Sequence, residues 1–288
     1  MFISPMLLHT APGPFSRRDF LYEPKIDGHR LIYSQESNDV HLYTRHNNEC
    51  TRQYPEIAGA RFSHDIDLDG EIACVDPLTG SVDFESVMSR FQASRTDKIR
   101  QLSGTLPVTY VIFDILRYKG EDLRNRPLFE RKAILSGLAL PNAHFGVIPY
   151  IEGAGEDLFE QIVARDMEGV VGKRKNSLYE TGRRSAAWQK VINWTYADVY
   201  ITAYRKQGFG WLAAIPSGSS GKLRPAGIIE LGVSPLHKQA FRGVAPQLVK
   251  GEDKEFVHLE PRLRAKVRMR NWTKSGMLRS PVFTEFIV

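Results

Sequence analysis

One short stretch, residues 23–30 with the sequence EPKIDGHR, combines residue types that could do covalent chemistry. Lys25 is a candidate nucleophile, because burial or neighbouring positive charge can lower the pKa of a lysine amine from about 10.4. Asp27 could hold a metal ion, and Gly28 would let the backbone pass close to a ligand. An exposed turn between two strands is the alternative interpretation, since Asp-Gly is a common hairpin pair.

The first two thirds of the chain are predicted to mix strands and helices around this stretch. Alternating or continuous apolar runs indicate strands, and apolar residues at a spacing of three or four indicate helices. The pattern over 20–33 is strand, tight turn, strand, and the further predicted strands are 40–45, 67–75, 107–116 and 168–174. The predicted helices are 83–92, which an Asp83 cap opens, 125–138 and 157–166.

The sequence changes character near Trp194. Short strands, many glycines, the loop 216–221 and the lack of a convincing long helix predict a small all-β domain, most simply a barrel. Residues 195–288 contain 15 Lys+Arg and 7 Asp+Glu, whereas the rest of the chain is near neutral. We therefore predict two domains, 1–194 and 195–288, with a polyanionic partner for the second; a solubilising surface is the alternative.

One segment of the second domain alternates strictly between cations and apolar residues. A period of two places all the cations on one face of a strand over 261–272. Such a row of like charges repels itself unless an anion lies across it, which favours a track for a phosphate backbone over a charged edge strand. The cations of this row are Arg262, Arg264, Lys266, Arg268 and Arg270.

Composition excludes several classes of protein. Hydrophobic residues make up 42% of the 288 residues and aromatic residues 10%, which is enough for a folded core. Two cysteines without a C-x-x-C pair argue against a disulfide framework and a structural zinc site. The N-terminal run 1–9 lacks the features of a signal peptide, and no apolar stretch is long enough to span a membrane. A soluble cytosolic protein is expected.

Five motifs in order resemble those of the covalent nucleotidyl transferases, and within them the ATP-dependent DNA ligases. The signature K-x-D-G-x-R is matched by residues 25–30, and LDGE at 68–71 is similar to the third motif. The segments 110–116, 168–173 and 188–191 are similar to the three motifs that follow. The resemblance covers 20–195 closely and the tail more loosely, and it is strongest to the ligase module of bacterial end-joining enzymes.

This resemblance implies an α+β fold, a nucleotidyl transferase domain followed by an OB-fold domain. It also implies a nucleotide site in which Lys25 attacks the α-phosphorus of ATP and carries AMP. Glu23 would accept a hydrogen bond from the adenine amino group, and Phe113 would stack on adenine. Arg45 and Glu71 would bind the ribose. The structural alternatives are an edge-strand glutamate, a core phenylalanine, a surface arginine and a strand-end glutamate.

The resemblance further implies how phosphates and metal are bound. Lys173 and Lys190 would meet the charge that develops on phosphate, and Arg30 would hold phosphate or the DNA end. Solvated lysines and a structural salt bridge are the alternatives. Mg²⁺ or Mn²⁺ would be bound by carboxylate oxygens, which are hard ligands, and oxygens of the ATP phosphates would complete its coordination shell. The expected metal-binding residues are Asp27, Glu71 and Glu168.

Two departures from the family pattern lead to a kinetic hypothesis. The fifth motif usually carries a second lysine two residues after Lys190, where this chain has Ile192. The C-terminal motif, an arginine and an Asp-Lys pair that orient pyrophosphate, is not recognisable. We therefore expect self-adenylylation to be slower than the sealing of a break that is already adenylylated.

The leading interpretation is a monomeric ATP-dependent DNA ligase that seals 5′-phosphate/3′-hydroxyl breaks in nicked or broken duplex DNA. A repair role, an end-joining partner protein and a bacterial or phage-type cytoplasm near the nucleoid are expected from the resemblance. An RNA ligase, a capping-type guanylyltransferase and a non-catalytic DNA-end-binding protein are the alternatives. The sequence leaves open a preference for nicks, cohesive ends or blunt ends.

Overall fold

The computed structural model describes residues 2–75, 81–218 and 221–287. The chain divides into two compact units, Met1–Asn193 and Trp194–Val288, so the expected domain boundary lies one residue after this division. None of the helices in the described ranges is long and apolar enough to cross a membrane. Part of the predicted loop 216–221, residues 219–220, lies outside the described residues.

The first unit contains two mixed sheets. A five-stranded sheet has the order β1-β11-β10-β2-β9, and a six-stranded sheet has the order β4-β3-β5-β6-β7 with β8 paired to β6. The strands of the first sheet are β1 (Leu7–Thr10), β2 (Phe20–Pro24), β9 (Ile151–Glu152), β10 (Gly169–Arg174) and β11 (Arg184–Ile192). Those of the second are β3 (His29–Glu36), β4 (Asp39–Thr44), β5 (Ile66–Ala73), β6 (Thr109–Tyr118), β7 (Glu121–Asp122) and β8 (Phe145–Val147).

In the described part of this unit, five α-helices accompany the sheets: α1 (Pro55–Ala58), α2 (Phe84–Gln92), α3 (Thr96–Thr105), α4 (Leu128–Ser136) and α5 (Gly155–Ala164). The predicted cap of α2 is confirmed, since Asp83 accepts a hydrogen bond from the Ser86 backbone nitrogen at 3.2 Å. The predicted strands and the other two predicted helices are confirmed with shifts of a few residues at their ends. The sequence analysis missed α1 and α3, which bury few apolar side chains.

The stretch 24–29 is not a hairpin. Its flanking strands, β2 and β3, belong to different sheets, so the chain crosses from one sheet to the other through Lys25 and Asp27. The Asp-Gly pair suggested a tight turn because the sequence does not show which strands pair. Gly28 is needed for another reason: a Cβ atom there would lie 2.1 Å from the carbonyl oxygen of Ile72 and 2.8 Å from Cγ of Glu71.

The second unit is built on a strongly curved sheet. Its strands are β12 (Thr195–Arg205), β13 (Trp211–Pro216), β14 (Leu223–Ile229), β15 (Val249–Glu252), β16 (Phe256–Leu259), β17 (Arg264–Met269) and β18 (Val282–Ile287). β12 pairs with β13 and with β17, which in turn pairs with β18. An isolated bridge between Leu231, just beyond β14, and Val282 of β18 closes the circuit into a five-stranded barrel of OB type.

The second unit is mostly β, as expected, but it also contains a helix that the sequence analysis did not predict. Residues 235–244 form the helix α6 (Pro235–Val244), which begins with a capping box between Ser234 and His237. Phe241 of α6 is buried in the barrel core against Trp211. A proline at the first helical position and a glycine near the end conceal this helix in the sequence, although proline is well tolerated at that position.

Candidate active site

A pocket in the first unit gathers side chains from both sheets. It has about 420 Å³ of empty space, including the open solvent at its mouth. Six of the sequence-predicted site residues line it: Glu23, Lys25, Arg30, Glu71, Phe113 and Lys173. The other lining residues are Leu8, Pro24, Ile26, Ile148, Val171 and Trp188.

Strand register explains why these residues meet. Val171 of β10 pairs with Glu23 of β2 on one side and with Lys190 of β11 on the other. Lys173, two residues along β10, pairs with Trp188. Because side chains alternate between the faces of a strand, these residues share one face of the sheet.

Lys25 is fixed at its backbone and at its amine. Its backbone nitrogen donates to the carbonyl oxygen of Gly169 at 2.8 Å, which ties the residue to the start of β10. Its Nζ lies 2.6 Å from Oε2 of Glu168, with the two side chains 19% and 7% exposed. The lysine amine is therefore held at the pocket by a neighbouring carboxylate that can accept a proton.

Arg30 is held by a buried carboxylate rather than left open for a phosphate. Its guanidinium contacts both oxygens of Asp69, at 2.8 and 2.5 Å. Tyr179 donates a hydrogen bond of 2.6 Å to the same carboxylate. This bidentate pair supports the structural alternative for Arg30, although the residue still lines the pocket.

Glu71 is shifted toward the neutral form. Burial raises the pKa of its carboxyl to about 7, and the negative charges of Glu168 and Asp69 add to this effect. The positive charges of Lys25 and Arg30 oppose it. Glu71 thus lies within electrostatic reach of the lysine and of a second carboxylate, at a pKa near neutrality.

Glu23 has partners that the sequence analysis did not foresee. Its carboxylate is 2% exposed and forms ion pairs with Lys132 of α4 and, at 2.8 Å, with Lys173 of β10. Burial lowers the pKa of Lys173 to about 8, with Glu23 opposing and Lys132 reinforcing the shift. Since an ionised carboxylate has about four acceptor sites, two lysines leave capacity for a further donor.

Phe113 presents its half-buried ring to the pocket among cations. Nζ of Lys173 lies 4.4 Å from the ring centroid, and the guanidinium carbon of Arg30 lies 5.0 Å from it. Lys173 also lies 4.2 Å from the ring of Trp188. Phe113 is therefore not simply a core residue, because its ring faces the pocket and the cations of Lys173 and Arg30.

A buried ion pair positions the helix that carries Lys132. Asp114 of β6 and Arg131 of α4 are fully buried and meet through two hydrogen bonds of 2.8 Å each. Burial by itself would raise the pKa of Asp114, but the charge and hydrogen bonds of Arg131 hold it below its ordinary value. The pair fixes α4 against β6 and so brings Lys132 to Glu23.

Four of the residues predicted for the nucleotide and metal site lie outside the lining of this pocket in the part of the chain that is described: Asp27, Arg45, Glu168 and Lys190. Asp27 and Lys190 are half-buried, and Arg45 is exposed. Burial, Arg30 and Arg184 together lower the pKa of Arg45, and Glu71 opposes this shift. Arg45 is thus close enough to Arg30 and Glu71 to influence the same site.

The three predicted metal-binding carboxylates do not form a preformed metal site. Within the described ranges, no group of three or more His, Cys, Asp or Glu side chains could hold a metal ion. Glu168 is engaged by Lys25, and its charge raises the pKa of Glu71. These carboxylates fit a magnesium ion that is bound by one or two protein carboxylates and completes its coordination shell with oxygens of the substrate.

The predicted cationic row of the second unit is shorter than expected. Arg262 lies in a turn before β17 and pairs with Glu260 at 2.9 Å, so it does not belong to the strand. Arg264, Lys266 and Arg268 share one face of β17, and Arg270 follows its end. The first two of these have carboxylate neighbours at 3.5 Å, in Asp198 and Glu285 respectively.

Aromatic side chains run beside this row, which the sequence analysis did not notice. Tyr196 and Tyr200 of β12 pair with Arg268 and Arg264 of β17. The guanidinium carbons of Arg268 and Arg270 lie 4.6 and 5.0 Å from the ring of Trp194. The face therefore combines cations with flat rings, and Tyr196 is 58% exposed.

Sequence reasoning missed residues that support the pocket without belonging to a quoted motif. Lys132 and Arg131 lie on α4 where the pattern indicated only an apolar face. Asp69 lies within the motif at 68–71 but was given no role. The sequence did contain a signal: Arg131 and Lys132 lie inside a helix that was predicted to pack on buried strands. Charges in such a place indicate buried partners of opposite sign, because buried charges are usually paired.

The chain matches the family model described as "ATP dependent DNA ligase domain" over residues 5–191. It is 38% identical to the SPbeta prophage-derived DNA ligase-like protein LigB of Bacillus subtilis, over 100% of both chains. It is 30% identical to the bifunctional non-homologous end joining protein LigD of the same organism, over 93% of this chain but 46% of that protein.

Solved structures agree with these sequence matches. The chain is similar to a mycobacterial DNA ligase D complexed with ATP and MES, with a TM-score of 0.60 and 26% identity. The match covers 99% of this chain and 95% of that one. The α+β fold and the ordered motifs around Lys25 are thus those of a known group of enzymes, and the chain belongs to the ATP-dependent DNA ligase family.

Proposed function

We propose that this protein seals 5′-phosphate/3′-hydroxyl breaks in duplex DNA through a covalent Lys25–AMP intermediate. The observation that carries the proposal is the position of Lys25. Its amine lies at a concave pocket, 2.6 Å from Glu168, and five other residues predicted from the sequence as site residues line the same pocket. A nucleophile beside an acceptor carboxylate in a concave site is the arrangement that group transfer needs.

In the first step, Nζ of Lys25 attacks the α-phosphorus of ATP. The new bond is nitrogen to phosphorus, the bond that breaks joins the α-phosphorus to the bridging oxygen, and pyrophosphate leaves. Lys25 must lose a proton, and Oε2 of Glu168 is within hydrogen-bond reach of it. Lys173 and Lys190 supply positive charge from the same sheet face to the phosphates.

The adenine of ATP is proposed to lie against Phe113 near Glu23. The half-buried ring of Phe113 faces the pocket, and Glu23 keeps acceptor capacity for an exocyclic amine beyond its two lysines. A guanine would present a carbonyl oxygen there, which a carboxylate repels, so ATP is favoured over GTP. Arg45 and Glu71 are proposed to bind the ribose.

A divalent cation is proposed to join the substrate phosphates to the carboxylates of this site. Glu71 and Glu168 are the residues best placed for it: burial is the main cause of the raised pKa of Glu71, the charge of Glu168 adds to it, and a cation would offset both effects. Asp27 is the third predicted ligand. Mg²⁺, or Mn²⁺ in its place, would offset phosphate charge as pyrophosphate departs.

In the second and third steps, AMP passes to the 5′-phosphate at the break, and the 3′-hydroxyl then displaces AMP to form the phosphodiester bond. Arg264, Lys266, Arg268 and Arg270 are proposed to contact the DNA backbone. Their arrangement along one strand supports this role, and the aromatic rings beside Arg268 and Arg270 hold those guanidinium groups in place.

The end-joining and prophage relatives suggest where such an activity would be used. We propose a role in the repair of broken bacterial or prophage DNA, together with a partner protein that holds the ends. The chain spans the full length of LigB but less than half of LigD, so the other activities of LigD are not transferred.

Intact mass spectrometry tests the first step directly. The protein is incubated with ATP, Mg²⁺ and pyrophosphatase, which removes the product that would reverse the reaction. One added AMP is expected on the parent protein and none on Lys25→Ala. Lys98→Ala, which changes an exposed lysine of α3, is the matched control and should be labelled like the parent.

A second substrate separates the alternatives. If no AMP is added but a nick that already carries AMP is sealed, only the first step has been lost. If neither reaction occurs and DNA is still bound, the protein is an end-binding protein without catalysis. Preferential sealing of an RNA nick would replace the DNA ligase proposal with an RNA ligase.

A further inference from the structure

A second concave site lies in the second unit, apart from the cationic face of β17. It has about 760 Å³ of empty space, including open solvent at its mouth. One wall is the end of β12 and the loop before β13, and the other is α6. Four cations line it and no carboxylate does: Arg205, Lys206, Lys238 and Arg242.

The cations face the cleft from two sides. Arg205 and Lys206 end β12, whereas Lys238 and Arg242 lie four residues apart on α6 and so on one stripe of the helix. Arg205 and Lys206 pair with Glu230 and Glu252, which do not line the cleft. The repulsion between Lys238 and Arg242, which lack such carboxylate partners in the described part of the chain, raises the free energy of the folded chain unless an anion enters.

The helix cations are not neutralised by neighbouring carboxylates. Among the described residues, no Asp or Glu lies within ion-pair distance of Lys238 or Arg242. The amine of Lys238 instead lies 4.0 Å from the ring centroid of Phe209, and Arg242 is exposed. Both are thus positioned to meet an anion at the cleft.

Aromatic rings form the rest of the lining. Phe209 and Tyr204 are half-buried, so part of each ring is open to the cleft, and Trp211 and Phe241 lie buried behind them. Gly208, in the loop that carries Phe209, has a φ of +75° and open space where a side chain would project. The loop is therefore uncrowded next to Phe209 in the chain.

We propose that this cleft binds single-stranded DNA, with Lys238 and Arg242 on the phosphates and Phe209 stacked on a base. Aromatic rings beside a basic groove suit unpaired bases, whereas duplex DNA keeps its bases stacked inside and offers mainly phosphates. That the strand is the overhang of a broken end rests on the proposed function. The binding itself does not.

Fluorescence anisotropy with a labelled 12-nucleotide single strand tests the site in the full chain, beside an unbroken duplex of the same length. Lys238→Glu with Arg242→Glu should weaken single-strand binding at least tenfold. Loss of two phosphate contacts should also reduce the slope of log affinity against log salt by about 1.4. Binding to the duplex should fall no more than it does in the control variant.

The control makes the same change of charge outside the cleft, with Lys222→Glu and Lys250→Glu, both at exposed positions of the same unit. Equal losses in the two double variants would attribute the effect to net charge and overturn the proposal. Equal losses for single strand and duplex would overturn it as well.

Phe209 supplies an independent check. Phe209→Tyr keeps a ring and should retain binding, whereas Phe209→Leu keeps apolar volume without a ring and should bind the single strand at least about fivefold more weakly. Circular dichroism and thermal melting confirm that each variant is folded. Equal affinity of the Tyr and Leu variants would exclude base stacking at this residue. A failed self-adenylylation assay, by contrast, would bear on Lys25 and leave this cleft unaffected.

Discussion

Lys132 of α4 and Glu23 of β2 form an ion pair that is almost completely removed from solvent. Helix α4 and the five-stranded sheet thus meet beside the pocket that Glu23 and Lys25 line. Neither residue would be expected inside a protein without the other, because an unpaired buried charge is costly. The pair also sets where Glu23 points, and this leads to the first prediction.

Lys132→Met should lower both stability and nucleotide affinity. Glu23 would keep Lys173 as its only cation, so we expect a loss of about 1–3 kcal/mol in the free energy of unfolding. Urea denaturation measures the first effect, and titration with ATP in the Lys25→Ala background measures the second without turnover. Lys98→Met, at an exposed position, should change neither; equal behaviour of the two variants would show that the pair contributes nothing.

Glu168→Gln should slow the formation of Lys25–AMP. The amide keeps the shape of the side chain but removes the carboxylate that lies 2.6 Å from the lysine amine, which is the proposed proton acceptor and a proposed metal ligand. We expect a decrease of about 10²-fold or more in the single-turnover rate. Quenched-flow measurement with labelled ATP gives this rate, and an unchanged value would remove Glu168 from the mechanism.

Glu71 should make stability depend on pH. Its pKa is raised from 4.5 to about 7, so the folded protein binds a proton more tightly than the unfolded chain does. The resulting stabilisation is complete below about pH 4.5 and is lost as pH rises through 7. When the pH rises from 5 to 8, the free energy of unfolding of Glu71→Gln should therefore increase by about 1–2 kcal/mol relative to that of the parent.

Urea denaturation of both proteins at the two pH values checks this gain. Glu160→Gln, at an exposed position of α5, is the control and should show the same pH dependence as the parent. A parallel pH dependence for Glu71→Gln and the parent would mean that Glu71 titrates near its ordinary value.

Arg131→Met should be strongly destabilising. It leaves the fully buried carboxylate of Asp114 without its cation, which costs about 3–5 kcal/mol. Asp114→Asn combined with Arg131→Met removes both charges and should recover part of this loss. Arg95→Met breaks an exposed pair with Asp97 and should change stability by less than about 1 kcal/mol. Chemical denaturation of the parent, Arg131→Met, the double variant and Arg95→Met measures these changes. A double variant as stable as the parent would show that the buried pair is dispensable for stability.

Sealing should be faster on a nick that is already adenylylated than on a plain nick. Ile192 occupies the position of the usual second lysine, and it is buried at the end of β11 opposite Gly169, where a cation would have to be desolvated. The self-adenylylation step therefore has one cation fewer for the pyrophosphate. Rates on the two substrates in single-turnover assays test this, and equal rates would contradict it.

The sequence by itself determined the family, and it predicted Lys25 as the nucleophile and a two-part organisation of the chain. The motifs around Lys25, Glu71 and Glu168 are local in sequence and have a fixed order, so they can be recognised without knowing which strands pair. The alternation in β17 likewise fixed which side chains share a face, because the period of a strand is a local property.

Only the tertiary structure decided what those residues contact. Sheet pairing turned an apparent hairpin into a crossover at Lys25, and it placed Glu23 beside Lys132, more than a hundred residues away. It also showed that Arg30 is held by Asp69 and that Arg262 lies off the strand. Ion pairs and clefts of this kind join residues that are distant in the chain, and their energies depend on burial. A single sequence reports neither distance nor burial for such pairs.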